Sequence, residues 1–509
     1  LIKHAPNDDS RFPPTENDGE DIEGLTFQKK RKVGDDLFSV NPYGLQGFKS
    51  TSVLAGVKNK QGWPIFSIVT SEENLFDSET GILANRDKKG QEWERPADFT
   101  YIEDGEVRFT TSVGLRLHGG KRRTTKPYNS YRIYFREQYG IKAFPADILY
   151  PENPDLTPLR TIVLHTTDWP PGYPLNNPLA YDIAREIGSI VPRTRLIEIY
   201  LNGDSLGMGI AIEHMSRKQW KQRWGHDEFH FHRFRSEIKW EDTVMYHNRF
   251  WKPVTDHESF SMQRVASSIN LDNFSRHIFS WVFCADEDYW QGVAVLDKKD
   301  ADAKLFWINW DMDHSFYDNP AVKNPQLKRE NWQQPAFKMV YMKHHIDGRT
   351  KLFTRLMNES DEYKIYFINL ATELLNHTLT EDFLFSRVHY YKKLLEQYGE
   401  PHKEYIAILK RFMEKRPDFV RQDMKNLFNL EGPYRLIFRS SVKYSVFIDG
   451  YQESSNYHGK YFAGQTCSIR LPDDQQESFS HWLVNGERVM TNILNLVIAE
   501  NTEVKAVFN

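Results

Sequence analysis

Switches of hydrophobic period along the chain constrain its fold more than any single motif. From Trp63 the runs PIFSIVT and VGLRLHG are apolar or alternating at strand length, and SYRIYF sets Tyr131, Ile133 and Phe135 on one face. The stretch ENLFDSETGILANRDKKGQEWERPADF reads as loop, punctuated by Gly81 and Gly90. NPLAYDIAREIG spaces Leu179, Ile183 and Ile187 four apart and stops at Gly188, as a capped amphipathic helix does. RLIEIYLNGDSLGMGIAIEH is two strands about an Asn202-Gly203 turn. Residues 270–283 predict a helix beginning near Asp272, and residues 350–430 a helical region. After Gly432 the period returns to two, predicting a small sandwich-like β unit. The sum is an α+β chain: a polar arm over 1–50, a main unit over 51–431 with a β-rich part near 63–240 and a helical part near 260–431, then an all-β module over 432–509.

Charge and composition narrow the function. Lys plus Arg number 66 against 70 Asp plus Glu, so no global positive field exists to hold nucleic acid. Aromatics at 14 % supply a folded core, and no apolar run of transmembrane length occurs. The chain begins at Leu1 without an apolar leader, as a processed or trimmed form would. Cys284 and Cys467 permit one disulfide at most and no thiolate zinc site.

The sharpest chemical feature is a pair of acidic clusters, Asp286-Glu287-Asp288 and Asp311-Met312-Asp313, each following an apolar element. In an extended segment Asp311 and Asp313 would share a face and repel unless a cation lay between them. Hard oxygen donors of this kind suit magnesium with a phosphate substrate; a solvated turn or salt-bridged strand end is the competing reading. A second feature, GLRLHGGKRRTTKP, runs into Gly119-Gly120 and then Lys121, Arg122, Arg123 and Lys126. It could lay cations against phosphate or be an ordinary basic hairpin rim, and it matches neither a Walker loop nor the dinucleotide fingerprint. His230 and His232, two apart, are possible metal ligands or ordinary strand histidines, and no Gly-x-Ser-x-Gly elbow supports a serine nucleophile.

Taken in order, PIFSIVTSEENLFDSETGILAN, EWERPADFTYIEDG, VGLRLHGGKRRTTKPYNSYRIYFREQYG, NNPLAYDIAREIG, RLIEIYLNGDSLGMGIAIEHMS, FSWVFCADEDYW and KLFWINWDMDHSF resemble the spore coat protein H (CotH) family of secreted, kinase-like proteins. The resemblance spans about residues 63–320, with helices to about 430 as its continuation. It implies an atypical two-lobed kinase fold binding ATP and magnesium or manganese, with phosphoryl transfer to a protein hydroxyl. By position it implies Asp288 as the catalytic aspartate, Asp311 as a metal ligand and Asp313 as a second ligand or support. It also implies Glu213 near the nucleotide, and Arg116, His118 and Arg123 on the phosphate-contacting β segment. Two departures stand out. Asn129 occupies the place of a family lysine, for which Lys126 or Arg132 would have to substitute, and Gly292 and Val293 replace asparagines suited to a second metal, leaving Gln291 as the nearest amide.

These departures leave a rival reading, a degenerate kinase-like module or adhesin contacting protein or glycan, for which Trp220, Trp224, Trp240 and Trp251 are the aromatic candidates or else core. A third reading is a glycan hydrolase using Asp288 and Asp311 as acid and base. The resemblance further implies a secreted or cell-surface bacterial protein.

Overall fold

The computed structural model describes residues 64–120, 124, 129–151, 157–166, 175–233, 240–252, 260–286, 291–316, 330–337, 340, 348–398, 402–440 and 445–509. The arm over 1–50 and the residues Arg123, Lys126 and Asp288 lie outside them.

Seven strands close into a barrel: β1 Ile65–Val69, β2 Arg95–Glu103, β3 Glu106–His118, β4 Ser130–Tyr134, β5 Thr161–Thr166, β6 Thr194–Leu201 and β7 Asp204–Glu213. The order β1-β2-β3-β4-β5-β7-β6 is completed by parallel pairing of β1 with β6, Phe66 opposite Ile199, which leaves no open edge. Two tight turns hold consecutive strands: Asn202 and Gly203, as expected, and Asp104 and Gly105, all at positive φ. Period-two patterning sends Phe66, Phe99, Leu115, Tyr131, Ile133 and Ile197 into the barrel interior. The loop-like stretch after β1 differs from expectation in starting with a helical turn, Glu72–Phe76, because Ser71 Oγ accepts from Asn74 N–H.

The principal helices are α1 Asn176–Glu186, α2 Leu271–Cys284, α3 Arg349–Glu359, α4 Asp361–Glu373, α5 Glu381–Tyr398 and α6 Lys403–Phe428. α1 stops at Gly188, φ +90°, whose N–H reaches the Arg185 carbonyl while Ser189 N–H reaches that of Ala184. α2 is capped by Asn270 and ends at Ala285, φ +52°. The buried Arg416 of α6 braces that end, donating to the Phe283 carbonyl at 3.0 Å and also to Val282, Trp332 and Gln334. A small antiparallel sheet, β8 Phe229–Arg233, β9 Val293–Asp297 and β10 Phe306–Ile308, completes this part. The helical core also takes in Val163, Ile210 and Ile212 from the outer face of β5 and β7, so barrel and helices share one apolar seam.

Residues 434–508 form a five-stranded and a four-stranded sheet around Phe438, Ile469, Trp482 and Val504. Where they meet the helices, His377 lies between the Tyr451 and Tyr457 rings and contacts Glu453 and Asp449. Cys284 and Cys467 are both free and buried.

Candidate functional site

The basic cluster grows from strand register. Arg116 on β3 lies opposite Arg132 on β4, and with Leu115, Leu117, Tyr131 and Ile133 turned inward, both arginines take the outer face. Like charges directly opposite repel. Here Tyr134, on the same face, accepts a hydrogen bond from each: Arg116 Nη2, and Arg132 Nη1 at 3.1 Å. Its ring also receives the Arg116 guanidinium at 4.3 Å. Arg132 Nη2 reaches His118 Nδ1 at 2.8 Å. The same lateral row continues from Arg132 to Val163 and Ile212, which pack into the helical core. Arg116, His118 and Arg132 therefore stand together at the border of the barrel–helix seam.

The acidic clusters converge on the other side of that seam. β10 ends at Ile308, and Asp311 adopts φ +60°, so residues 311–313 form a turn rather than the extended segment expected to face two carboxylates one way. α1 supplies the mould: Asp311 N–H donates to Tyr181 Oη at 2.9 Å, Met312 N–H to Asn177 Oδ1 at 3.0 Å, and Asn176 Nδ2 to the Asp313 carbonyl at 3.1 Å. The stretch from α2 joins it through Phe316 N–H on the Cys284 carbonyl, at 3.0 Å. Asp286 and Asp313 are buried and Asp311 partly so, which differs from carboxylates emerging on the surface. Burial, then the charges of Asp311, Asp313 and Asp286, push the Tyr181 phenol well above its ordinary range, so it remains a neutral hydroxyl beside them.

A buried network orders the strand leading away from Asp286. Arg349, at the start of α3, donates to the Gln291 carbonyl at 2.9 Å and contacts His277 Nε2 at 3.0 Å. His277 Nδ1 lies 2.6 Å from Asn309 Oδ1. Burial and the Arg349 charge hold the His277 pKa well below its ordinary value, so the ring is neutral and can accept from Arg349. Gln291 Nε2 then donates to Asp311 Oδ2 at 2.8 Å, which orients that carboxylate. Gly292, the position of an expected asparagine, has φ +134°, and a Cβ there would lie 3.0 Å from both Arg349 Nη1 and the Ile308 carbonyl. That geometry accounts for glycine. Arg349 and His277 escaped sequence reading because neither belongs to a charged motif.

Not every expected residue joins these groups. Glu213, fully buried at the end of β7, receives Arg223 Nη2 and the Arg193 N–H, an ion pair local to the barrel's end. At Asn129, Arg86 Nη1 donates to the side-chain Oδ1. His230 is bound to Asp242 and His232 stacks on Tyr246 at 4.2 Å, so both serve packing. Trp220 is buried and packs with Trp224, which in turn contacts His226, Phe229 and Phe306, the core alternative rather than an exposed aromatic strip.

Among the described residues no three His, Cys, Asp or Glu side chains are grouped so as to hold a metal by themselves. Asp311, partly exposed, and the buried Asp313 are carboxylates of the kind of which a hard dication such as magnesium takes one or two, phosphate oxygens and water filling the rest of its shell. No helix among the described residues is long and apolar enough to cross a membrane.

The chain is thus mixed α and β, a closed barrel packed on helices, with its two acidic stretches joined by Phe316 N–H on the Cys284 carbonyl. The sequence model of the family described as CotH kinase protein matches residues 115–421, more than half of the chain, and the protein belongs to that family. The match begins within β3, so β1, β2 and the loop between them precede it. No curated protein matches the chain.

Proposed function

We propose that the protein is a two-lobed, kinase-like phosphotransferase that binds ATP at the seam between barrel and helices. The observation carrying this reading is that the two acidic stretches are joined, Phe316 N–H donating to the Cys284 carbonyl at 3.0 Å, while Asp311 N–H donates to Tyr181 Oη at 2.9 Å. Asp311 and Asp313 would hold magnesium or manganese, which when bound offsets phosphate charge. Arg116, Arg132 and His118 orient the phosphates from the β3–β4 face, and Asp288 orients the acceptor hydroxyl of a protein substrate. Gln291 and Tyr181 keep the Asp311 carboxylate and backbone in place while phosphate moves. Secretion or cell-surface display in a bacterium belongs to the same reading.

The fixed glycine at 292 favours a second reading, a kinase-fold module that binds nucleotide and has lost transfer, because no amide side chain can stand there for a second metal. Incorporation of labelled phosphate from ATP into acceptor proteins, compared between wild type and Asp311→Ala, separates the two. Loss in the variant supports transfer. Equal signals end the catalytic reading, and magnesium-dependent ATP binding without incorporation favours the second.

A further inference from the structure

Exposed apolar side chains gather at one place in the C-terminal sheets. Among the described residues Met490 is 68 % exposed, Ile493 49 % and Val497 68 %, all within a single short stretch. The strand Ile493–Val497 is an outer strand of the four-stranded sheet, paired on one side with Thr466–Arg470. Alternation buries Leu494, half-buries Leu496 and turns Ile493, Asn495 and Val497 to the outer face. The backbone of these three residues points to the open side. Ser468, opposite Asn495, gives its carbonyl to Asp449 N–H at 2.8 Å, away from this strand. Ser468 and Asn495 are therefore a pair without mutual hydrogen bonds, and Asn495 directs its own N–H and C=O outward, as do Ile493 and Val497 two residues either way. Ile498 N–H, in the opposite phase, donates inward to the Gln465 carbonyl at 2.9 Å. The Ile493 carbonyl accepts from Thr491 Oγ1 at 2.8 Å and keeps a second lone pair.

Sheet edges are ordinarily guarded by charge, proline or cover. The other outer strands of these two sheets follow that rule. Glu487–Val489 exposes Glu487 and Arg488, while Tyr451–Glu453 and Asn456–Tyr461 lie against Glu373, His377 and Asn376 of the helical part. From Val489 to Ala499 there is neither a charged side chain nor a proline. This strand is also its own complement. Set antiparallel to a second copy about a two-fold axis at Asn495, Ile493 of each copy faces Val497 of the other and the two Asn495 amides meet at the axis. Charge agrees with that arrangement. The nearest charged residues, Arg488 before the strand and Glu500 after it, are exposed and opposite in sign, and antiparallel pairing brings the leading flank of each copy toward the trailing flank of the other.

We propose that the strand Ile493–Val497 is a self-recognition edge, through which two copies of the chain join their four-stranded sheets about a two-fold axis at Asn495. It is independent of the nucleotide reading, since the strand lies beyond the family match. One short strand buries less than the ~1,200 Å² of stable complexes, so the dimer is weak, with a Kd of roughly 10–100 μM. Sedimentation equilibrium of the full chain from about 5 to about 500 μM, bracketing that Kd, tests it. Wild type is expected to dimerise. Asn495→Asp and Asn495→Lys, both at an exposed position, are each expected to weaken the dimer at least about tenfold because like charges meet at the axis, and an equimolar mixture of the two to dimerise again. Ile365→Lys, at an exposed apolar residue on α4, is expected to behave as wild type. A wild type that stays monomeric throughout leaves this edge to a strand of another protein and overturns the proposal. Association that both Asn495 variants retain, or that Ile365→Lys abolishes, places the contact elsewhere and overturns it too. Variants whose mixture stays monomeric refute pairing about Asn495.

Discussion

Replacing His377 by phenylalanine separates the charged contacts of its imidazole from the packing of its ring. The ring lies between Tyr451, at 4.6 Å and 4°, and Tyr457, at 5.4 Å and 7°, a stack that phenylalanine can keep. What is lost is the Nδ1 contact to Glu453 at 2.7 Å and the longer Nε2 approaches to Asp449 at 3.5 Å and to Tyr457 Oη at 3.4 Å. A hydrogen bond to a charged group contributes about 1.5–3 kcal/mol, and the longer contacts add little, so the loss should be about 2 kcal/mol where the imidazole is protonated. Asp449 keeps the Tyr461 hydroxyl and the Ser468 N–H, each at 2.8 Å, and is not stranded.

The pH dependence follows from both partners. Burial pulls the His377 pKa down, but hydrogen bonds to Asp449 and Glu453 outweigh it, and the net value lies above the ordinary 6.5. Its stabilisation is therefore complete below pH 6.5 and fades as pH rises through that raised value. For Asp449 burial acts upward, yet bonds from His377, Ser468 and Tyr461 prevail and lower it below 3.8, so its share is present above pH 3.8 and is lost as pH falls through the lowered value. Other charged groups nearby among the described residues include Glu373, which accepts from Tyr451, Arg276, whose charge acts on Tyr451, and Asp418, bound by Lys460 and Arg421. Hydrogen exchange at the Lys460 amide, bonded to Asn376 Oδ1 at 3.1 Å, reports opening of this junction. Two kcal/mol corresponds to about 30-fold faster exchange in His377→Phe near pH 5.5, with a smaller factor near pH 9. The same factor at both pH values, or a larger one in alkali, would refute the charge argument.

Three more outcomes follow from the site. Gly292→Ala should cost about 1–3 kcal/mol, because alanine is strained at φ +134° and its Cβ meets Arg349 and the Ile308 carbonyl; an unchanged thermal midpoint would contradict this. Arg349→Met should cost about 1–3 kcal/mol by stranding the Gln291 carbonyl and His277 Nε2, read as a fall in the urea midpoint, whereas a neutral effect would deny the network its role. Tyr181→Phe removes the acceptor of the Asp311 N–H and should lower stability by about 1–2 kcal/mol, with phosphate incorporation falling more than ATP affinity; an affinity loss alone would place Tyr181 in ligand binding instead.

Much of this architecture was legible locally. Period-two runs marked the strands that now line the barrel, and Gly188 and the Asn202-Gly203 pair marked the end of α1 and the β6–β7 turn, since each depends on a backbone preference of one or two residues. The acidic stretches were visible because each follows an apolar element, and ordered segments pointed to the family that the match over 115–421 identifies. Their burial and mutual approach were not visible, nor was the turn at Asp311, because those depend on α1 folding across from more than a hundred residues away. The same holds for Arg86 at Asn129, for Arg349 behind Gly292, and for the β1–β6 pairing that closes the barrel. A sequence determines which face of an element is apolar and where its backbone can turn. Which distant element covers that face, and which distant charge then meets a given carboxylate or amide, is settled only when the whole chain competes for the same buried space.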